Sequence, residues 1–225
     1  TAWKFFPNSN LQHRLEYTFF DLYNFDATDP TATQLLADTH QVHTALGVST
    51  ALTPRWAYTL EAGYAAGWLQ DDRLDDRDTF LATAEIRYAL EEALSLSLGY
   101  ERDLAMSASS RSIVTDTGYL DVSTGVIPRV RLSSGFSAGY WQYSRFLDAN
   151  GNLVDPANPR RDDVVLQLDA NADIALLSWL SAYLQANYRH VITAFEFGPA
   201  GTTGPVLDPA EFSRILVWGG LRASY

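Results

Sequence analysis

The alternation of apolar and polar residues is the feature that most constrains the fold of this chain. From residue 56 to residue 68, apolar or aromatic side chains occupy every second position, and small or polar residues occupy the positions between them. Successive side chains of a β-strand point to opposite faces, whereas an α-helix repeats about every 3.6 residues. This segment therefore predicts a long strand with one apolar face and one polar face.

The same alternation recurs along the chain and predicts about ten antiparallel strands in a single domain, residues 1–225, with an N-terminal lead-in at residues 1–10. The strands are expected at residues 11–25, 38–52, 55–69, 79–90, 93–106, 112–127, 129–147, 162–176, 179–197 and 212–225. The alternation slips near Phe20 and Asp21, where we expect a bulge. Tight turns at residues 53–54, 91–92, 128 and 177–178 alternate with longer polar loops.

Alternation alone fits either a soluble β-barrel or sandwich, with its apolar face inward, or a membrane barrel with that face outward. Strands of about twelve residues exceed the five or six typical of globular sheets, while spanning a bilayer needs about nine to eleven. Alternating short turns and long loops match the periplasmic and extracellular ends of membrane barrels. We therefore predict an all-β fold, a transmembrane antiparallel up-and-down β-barrel in the outer membrane of a Gram-negative bacterium.

Aromatic residues on the apolar face support the membrane interpretation. Twelve residue steps of about 3.3 Å, tilted by about 40°, separate Trp56 from Trp68 by roughly 30 Å along the membrane normal. This is close to the spacing of the two aromatic girdles of a membrane barrel. The predicted girdle comprises Trp56, Trp68, Tyr100 and Tyr188.

Composition excludes several classes of function. The net charge of −11 argues against nucleic acid as a partner, because its phosphates would repel the chain. The absence of cysteine excludes disulfides and thiolate metal sites, and we expect no metal or cofactor. There is no run of eighteen apolar residues that would form a membrane helix, and the first residues do not have the pattern of a signal peptide.

The last six residues, Gly-Leu-Arg-Ala-Ser-Tyr, resemble the C-terminal assembly signal of outer-membrane β-barrels. In that signal a glycine lies five residues before a terminal aromatic residue, and an apolar residue lies two before it. Gly220, Ala223 and Tyr225 occupy these positions. The resemblance implies that the barrel-assembly machinery reads these three residues.

A second resemblance is to porin-like barrels associated with exopolysaccharide export. It rests on the Arg-Arg-Asp-Asp run at residues 160–163, which leads into a long strand, a short turn and then Tyr-Arg-His at residues 188–190. The resemblance implies an export-associated or porin-like barrel, although families of this kind have more strands.

The polar face predicts a barrel interior with charges of both signs. The expected lumen-lining residues are Arg14, Glu16, Glu61, Glu85, Arg87, Glu101, Arg131, Arg145, Asp169, Asp173, Arg189 and Arg222, together with His43 and Asp103. One interpretation is a porin-like or export-associated channel with a narrow polar lumen, alone or as a subunit of a larger envelope complex. The alternative is a closed structural or adhesion barrel, in which these charges pair and fill the interior.

A hydrolase is the third interpretation, because some outer-membrane barrels carry catalytic residues near the extracellular rim. His190, His40 and Asp38 lie toward the long-loop end, but His40 and His43 fall on opposite strand faces and cannot form a metal pair. We therefore expect that the chain is not an enzyme. The expected partners are outer-membrane lipid and lipopolysaccharide, the barrel-assembly machinery and other envelope subunits.

Overall fold

A computed structural model describes residues 2–6, 8–20, 39–69, 76–90, 94–105, 112–144, 160–193 and 211–223. Within these ranges the chain forms one antiparallel sheet, in which each strand pairs with its neighbours in sequence order. The strands are β1 (Ala2–Phe6), β2 (Ser9–Phe20), β3 (Thr39–Ala51), β4 (Trp56–Leu69), β5 (Arg77–Leu90), β6 (Leu94–Ala105), β7 (Ile113–Thr124), β8 (Val130–Tyr143), β9 (Asp162–Leu177), β10 (Leu180–Thr193) and β11 (Phe212–Ala223).

The predicted fold class is confirmed: the chain is all-β, with antiparallel up-and-down strands in one sheet. Strands β2 to β11 correspond to the ten predicted strands, and β1 lies within the stretch taken as a lead-in. The bulge expected at Phe20 and Asp21 lies at the edge of the described residues, because the description of β2 ends at Phe20. Among the described residues there is no helix long and apolar enough to cross a membrane.

The sheet curls so that its polar face is concave. His43 on β3 lies 3.6 Å from Asp103 on β6, a contact that non-adjacent strands of a flat sheet could not make. Side chains on this face are the more buried ones, such as Ala45 and Ala65. The convex face carries exposed apolar side chains, including Leu60, Leu98 and Leu184. These exposed side chains give the convex face a large apolar surface.

Aromatic side chains lie over glycines on the concave face. A Cβ added to Gly99 would overlap the ring of Tyr119, the residue opposite it on β7. A Cβ on Gly220 would fall within 3.0 Å of the ring of Tyr183 on β10. Glycine at these positions lets a large ring lie flat against the neighbouring strand, which fills the interior without widening the sheet.

The long-loop end of β6 turns into the interior. Pairing between β5 and β6 ends at Ala82 and Arg102, and β6 then pairs with β7 alone. Leu104 and Val114 consequently join Ala45, Ala65 and Leu81 in one buried apolar cluster. The backbone carbonyl of Leu104 accepts a hydrogen bond of 2.5 Å from the side chain of Gln41 on β3. This inward segment narrows the interior at the long-loop end.

The two outermost strands carry free edges within the described part of the chain. There β11 pairs with β10 alone, and β1 covers only residues 9–12 of the outer edge of β2. Ile215, Val217 and Leu221 on the convex face of β11 and Leu216 and Trp218 on its concave face are all exposed. Both faces of the last described strand therefore expose apolar side chains, and Arg222 lies beside them on the concave face.

Candidate functional site: the polar interior

The register places eleven of the twelve predicted lumen residues on the concave face. They are Arg14, Glu16, Glu61, Glu85, Arg87, Glu101, Arg131, Asp169, Asp173, Arg189 and Arg222. The twelfth, Arg145, lies outside the described residues. His43 and Asp103 also face the interior, where they meet. That these side chains line a lumen remains a prediction, and their shared face is the structural fact behind it.

Ion pairs form between some of these residues in the middle of the interior. Arg14 Nη2 on β2 donates to Glu61 Oε1 on β4 at 2.7 Å, and Arg87 Nη2 donates to Glu85 Oε1 on the same strand at 3.0 Å. Glu85 also accepts a 2.8 Å hydrogen bond from the hydroxyl of Tyr119. The arginine side chains keep much of their exposure, 43% for Arg14 and 57% for Arg87. These pairs are therefore hydrated rather than sealed in a dry core.

A constriction is formed where β6 turns inward. His43 is buried between Asp103, which lies 3.6 Å from its Nδ1, and Gln41, whose amide nitrogen contacts its Nε2. The side-chain amide of Gln41 also donates a hydrogen bond to the Leu104 carbonyl. Sequence analysis placed His43 and Asp103 in the interior but did not pair them, because the inward turn of β6 is not visible in the alternation.

A buried ion pair lies at the start of β9. Both Arg161 Nε and Arg161 Nη2 donate to the Asp163 carboxylate, with distances of 2.6 to 2.9 Å. The Asp163 side chain is 1% exposed, and the Arg161 guanidinium lies 4.8 Å from the centroid of the Tyr143 ring. The pair joins the first residues of β9 to the end of β8. The Arg-Arg-Asp-Asp run of the sequence thus has a structural role at this position.

A second arginine is stacked nearby. The guanidinium of Arg189 lies 4.7 Å from the centroid of the Trp141 ring, and its Nε atom is buried without a hydrogen-bond partner among the described residues. Ring stacking of this kind is common for arginine and partly compensates for lost hydration. Arg189 is thereby held against the wall of the interior.

A row of small polar side chains crosses the concave face toward the short-turn end. The register aligns Ser95, Ser123, Ser133, Asn171 and Gln185 on successive strands. A small cavity of about 130 Å³ lies beside the first four residues and is also lined by Asp121 and Asp169. Asp169 accepts 2.8 Å hydrogen bonds from the amides of Gln167 and Asn187. Short hydroxyl side chains leave room here that longer ones would occupy.

A larger cavity of about 780 Å³ opens beyond this row, at the short-turn end. Its polar lining comes from Arg129 in the β7–β8 turn, Arg131 on β8, Asp173 on β9, Ser181 on β10 and Arg222 on β11. Arg129 was not among the predicted lumen residues; the strand was predicted to begin at residue 129, whereas β8 begins at Val130 and Arg129 lies in the turn before it. The interior therefore narrows at the long-loop end and widens at the short-turn end.

The predicted girdle residues are exposed on the convex face. Trp56, Trp68, Tyr100 and Tyr188 all lie there, and the Trp56 ring packs 4.6 Å from that of Tyr88. Of the predicted assembly signal, Gly220 and Ala223 lie in β11, and Tyr225 is outside the described residues. The structure tests neither role.

A charged pair on the convex face was missed by the sequence analysis. Arg102 Nη1 donates to both carboxylate oxygens of Asp116, at 2.8 and 2.9 Å, and the Tyr100 hydroxyl donates to the same carboxylate at 2.5 Å. The guanidinium also lies 4.4 Å from the centroid of the Phe80 ring. Both charges occupy positions that the alternation assigns to apolar residues, and their cross-strand register is the signal that would have revealed the pair.

Comparisons with known proteins find similarity in structure only. No family model and no curated protein matches the sequence. Among solved structures, the copper transporter OprC aligns over 95% of this chain at 11% identity with a TM-score of 0.47, and this chain spans only 39% of OprC. LpxR from Salmonella typhimurium aligns over 100% of this chain and 86% of its own length, at 10% identity with a TM-score of 0.38. Both are outer-membrane β-barrels.

These comparisons overturn one expectation and leave another without support. The expectation that the chain is not an enzyme is corrected: its structural neighbours include LpxR, which is an enzyme, so that expectation has no support. The suggested association with exopolysaccharide export has no support from any family model. The all-β, antiparallel up-and-down fold is shown by the strand pairing of this chain itself.

Proposed function

We propose that the chain resides in the outer membrane and forms a porin-like channel whose narrow, hydrated interior passes small hydrophilic solutes. The single observation that carries this proposal is the exposure of charged side chains on the concave face. The Arg87 side chain is 57% exposed although it is paired with Glu85. In a plugged barrel such a side chain would be packed against its neighbours and dry.

The shape of the interior supports the same function. The small cavity beside the serine row and the larger cavity at the short-turn end leave polar space along the concave face. The constriction at His43 and Asp103 limits this space at the long-loop end. A path with charges of both signs and one narrow point favours small polar solutes over large or apolar ones.

Conductance through a planar lipid bilayer tests the channel. Replacing Arg87 with glutamate changes the charge by two units, and each unit charge at 4 Å in water is worth about 1 kcal/mol, so the anion-to-cation permeability ratio should shift toward cations by roughly thirtyfold. The measurement is the reversal potential in a salt gradient. Arg55→Glu makes the same charge change in the exposed turn between β3 and β4 and should leave the ratio near that of the parent. A folded, inserted protein without current steps would show a closed structural barrel instead.

A location in the outer membrane implies particular partners for this chain. An exposed apolar convex face suits outer-membrane lipid, and the long-loop end would meet lipopolysaccharide. Delivery to that membrane would rely on the barrel-assembly machinery acting on β11. A chain that stays monodisperse in plain buffer without detergent would contradict the location.

A hydrolase is a second candidate, favoured by one contact on the convex face. His190 Nδ1 on β10 lies 2.8 Å from the hydroxyl oxygen of Ser213 on β11, near the long-loop end, and both residues are solvent-accessible. An imidazole within hydrogen-bond distance of a serine hydroxyl can act as the general base that activates it. Their place on the outer wall would give such a pair access to lipid.

A fluorophosphonate probe tests this pair, since it labels only activated serines. If the pair is catalytic, the folded protein in detergent should be labelled, and Ser213→Ala should abolish the labelling. Ser134→Ala, which removes a serine from the same convex face, should not change it. Failure to label the parent protein, or labelling that survives Ser213→Ala, would exclude the hydrolase.

A further inference from the structure

We propose that the short-turn end of the interior is a binding site for small organic anions that carry a carboxylate or phosphate group. Three arginines, Arg129, Arg131 and Arg222, line the 780 Å³ cavity there. Small-molecule sites are typically concave and of about 300–1,000 Å³. The site goes beyond the proposed channel, because binding can be measured whether or not current flows.

The backbone of Arg129 is the first indication that this arginine has a role. It has a φ angle of 67°, the only positive φ outside glycine among the described residues. Val130 N donates to Ile127 O at 3.0 Å, so residues 127–130 form a tight turn with Pro128 and Arg129 at its centre. With proline fixing its own φ near −65°, a positive φ at the next residue defines a type II turn, in which glycine or asparagine is strongly preferred.

An arginine at this position is strained where a glycine would not be. Strain of this kind is found where a side chain is needed at one particular place. Arg129 is one of the residues that line the cavity. The turn thus supplies a charge that the strands alone would not bring to this end.

The charges of the cavity are the second indication. Among the described residues, none of the three arginines forms an ion pair within 4.0 Å of a carboxylate. Asp173, directly opposite Arg131 in the register, is the one acidic residue of the lining. The lining therefore keeps an excess of positive charge and guanidinium donors that are free to bind an oxyanion.

Guanidinium groups suit this class of ligand. Their planar fork of N–H donors matches both oxygens of a carboxylate or phosphate, and such bonds are about twice as strong as neutral ones. The Arg222 guanidinium lies 5.5 Å from the centroid of the Tyr183 ring, which limits its movement. Ser181 adds a hydroxyl donor, while Val126 and Ile127 add apolar surface. This mixture suits an organic anion better than an inorganic one.

Isothermal titration of the folded protein in detergent tests the site with four probes: citrate, glucose 6-phosphate, inorganic phosphate and uncharged glucose. We expect the two organic anions to bind more tightly than inorganic phosphate, and glucose not to bind. Arg129→Gly relieves the backbone strain while it removes the charge, so it should fold at least as stably and weaken binding by about tenfold, the loss expected for one charge-assisted hydrogen bond. Arg131→Gln and Arg222→Gln should weaken binding to a similar extent.

The control is Arg55→Gln, which removes an arginine from the exposed β3–β4 turn at the same end and should leave the Kd unchanged. The proposal is overturned if none of the three anions binds, or if Arg129→Gly folds and binds as tightly as the parent. Equal binding of glucose and the anions would also overturn it. Anion binding without conductance would contradict the channel while leaving this site intact.

Discussion

Replacing Asp163 with alanine is expected to lower the free energy of unfolding by about 3–5 kcal/mol, because removing one partner of a buried ion pair leaves the other charge desolvated without that carboxylate. The Asp163 side chain is almost fully buried, and three hydrogen bonds join it to Arg161. Arg161 also stacks on Tyr143, so the loss should spread to the end of β8. Denaturant unfolding in lipid vesicles would measure the change.

The neighbouring aspartate provides a matched control. Asp162 is exposed, its backbone carbonyl accepts from Thr193, and its carboxylate accepts a hydrogen bond from the exposed Tyr140 hydroxyl, so Asp162→Ala should lower stability by no more than about 1 kcal/mol. The double variant Arg161→Met with Asp163→Leu should regain most of the loss, since an apolar pair carries no desolvation penalty. Equal effects of the two single alanine substitutions would show that the buried pair does not stabilise this end.

Arginine on the convex face is expected to destabilise the barrel almost as strongly. Leu184→Arg should lower the free energy of unfolding in a bilayer by about 2–4 kcal/mol, the range for an arginine facing lipid at the membrane midplane. Leu184 is 56% exposed in the middle of β10, and Leu166→Arg on β9 should act in the same direction. The same vesicle-based unfolding experiment applies.

The concave face supplies the comparison for this prediction. Gln167 lies one residue from Leu166 but faces the interior, where its side-chain amide donates a 2.8 Å hydrogen bond to the Asp169 carboxylate. The comparison variant is Gln167→Arg. An arginine there could pair with that carboxylate and keep its hydration, so the loss should be under about 1 kcal/mol. Similar losses on both faces would contradict the assignment of the convex face to lipid.

Alternation was sufficient to predict most of the fold. β4, expected at residues 55–69, runs from Trp56 to Leu69, and β9, expected at residues 162–176, runs from Asp162 to Leu177. A two-residue period is a property of the strand itself and is therefore visible locally. The same period also predicted that the charged residues share one face of the sheet. Alternate residues of a strand lie on the same face, and the register then aligns these faces between strands.

The parts that could not be predicted depend on contacts between distant strands. Alternation from Leu98 and Tyr100 places Leu104 on the convex face, yet Leu104 is 1% exposed inside the barrel. The reason is that β6 leaves β5 after Arg102 and follows β7 inward. The meeting of His43 with Asp103 depends on the same departure. Nothing in either segment alone indicates how far β3 lies from β6.

The cavity lined by arginines was missed for a different reason. Arg131 and Arg222 were predicted on the correct face, but Arg129 sits in a turn, and its direction depends on a positive φ angle. A Pro-Arg pair in a tight turn gives no sign of this conformation, because glycine or asparagine is the usual signal.

The free edges of β2 and β11 limit how such a chain can enter a bilayer. Hydrocarbon offers no hydrogen-bond partners, and each orphaned backbone N–H or C=O there costs several kcal/mol. Strand β11 spans twelve residues and is bonded along one side only in the described structure. A sheet with an unpaired edge strand would therefore be unstable in the hydrocarbon of the bilayer. If the chain enters a bilayer, we therefore expect the free edge of β11 to be paired by the time it reaches the hydrocarbon.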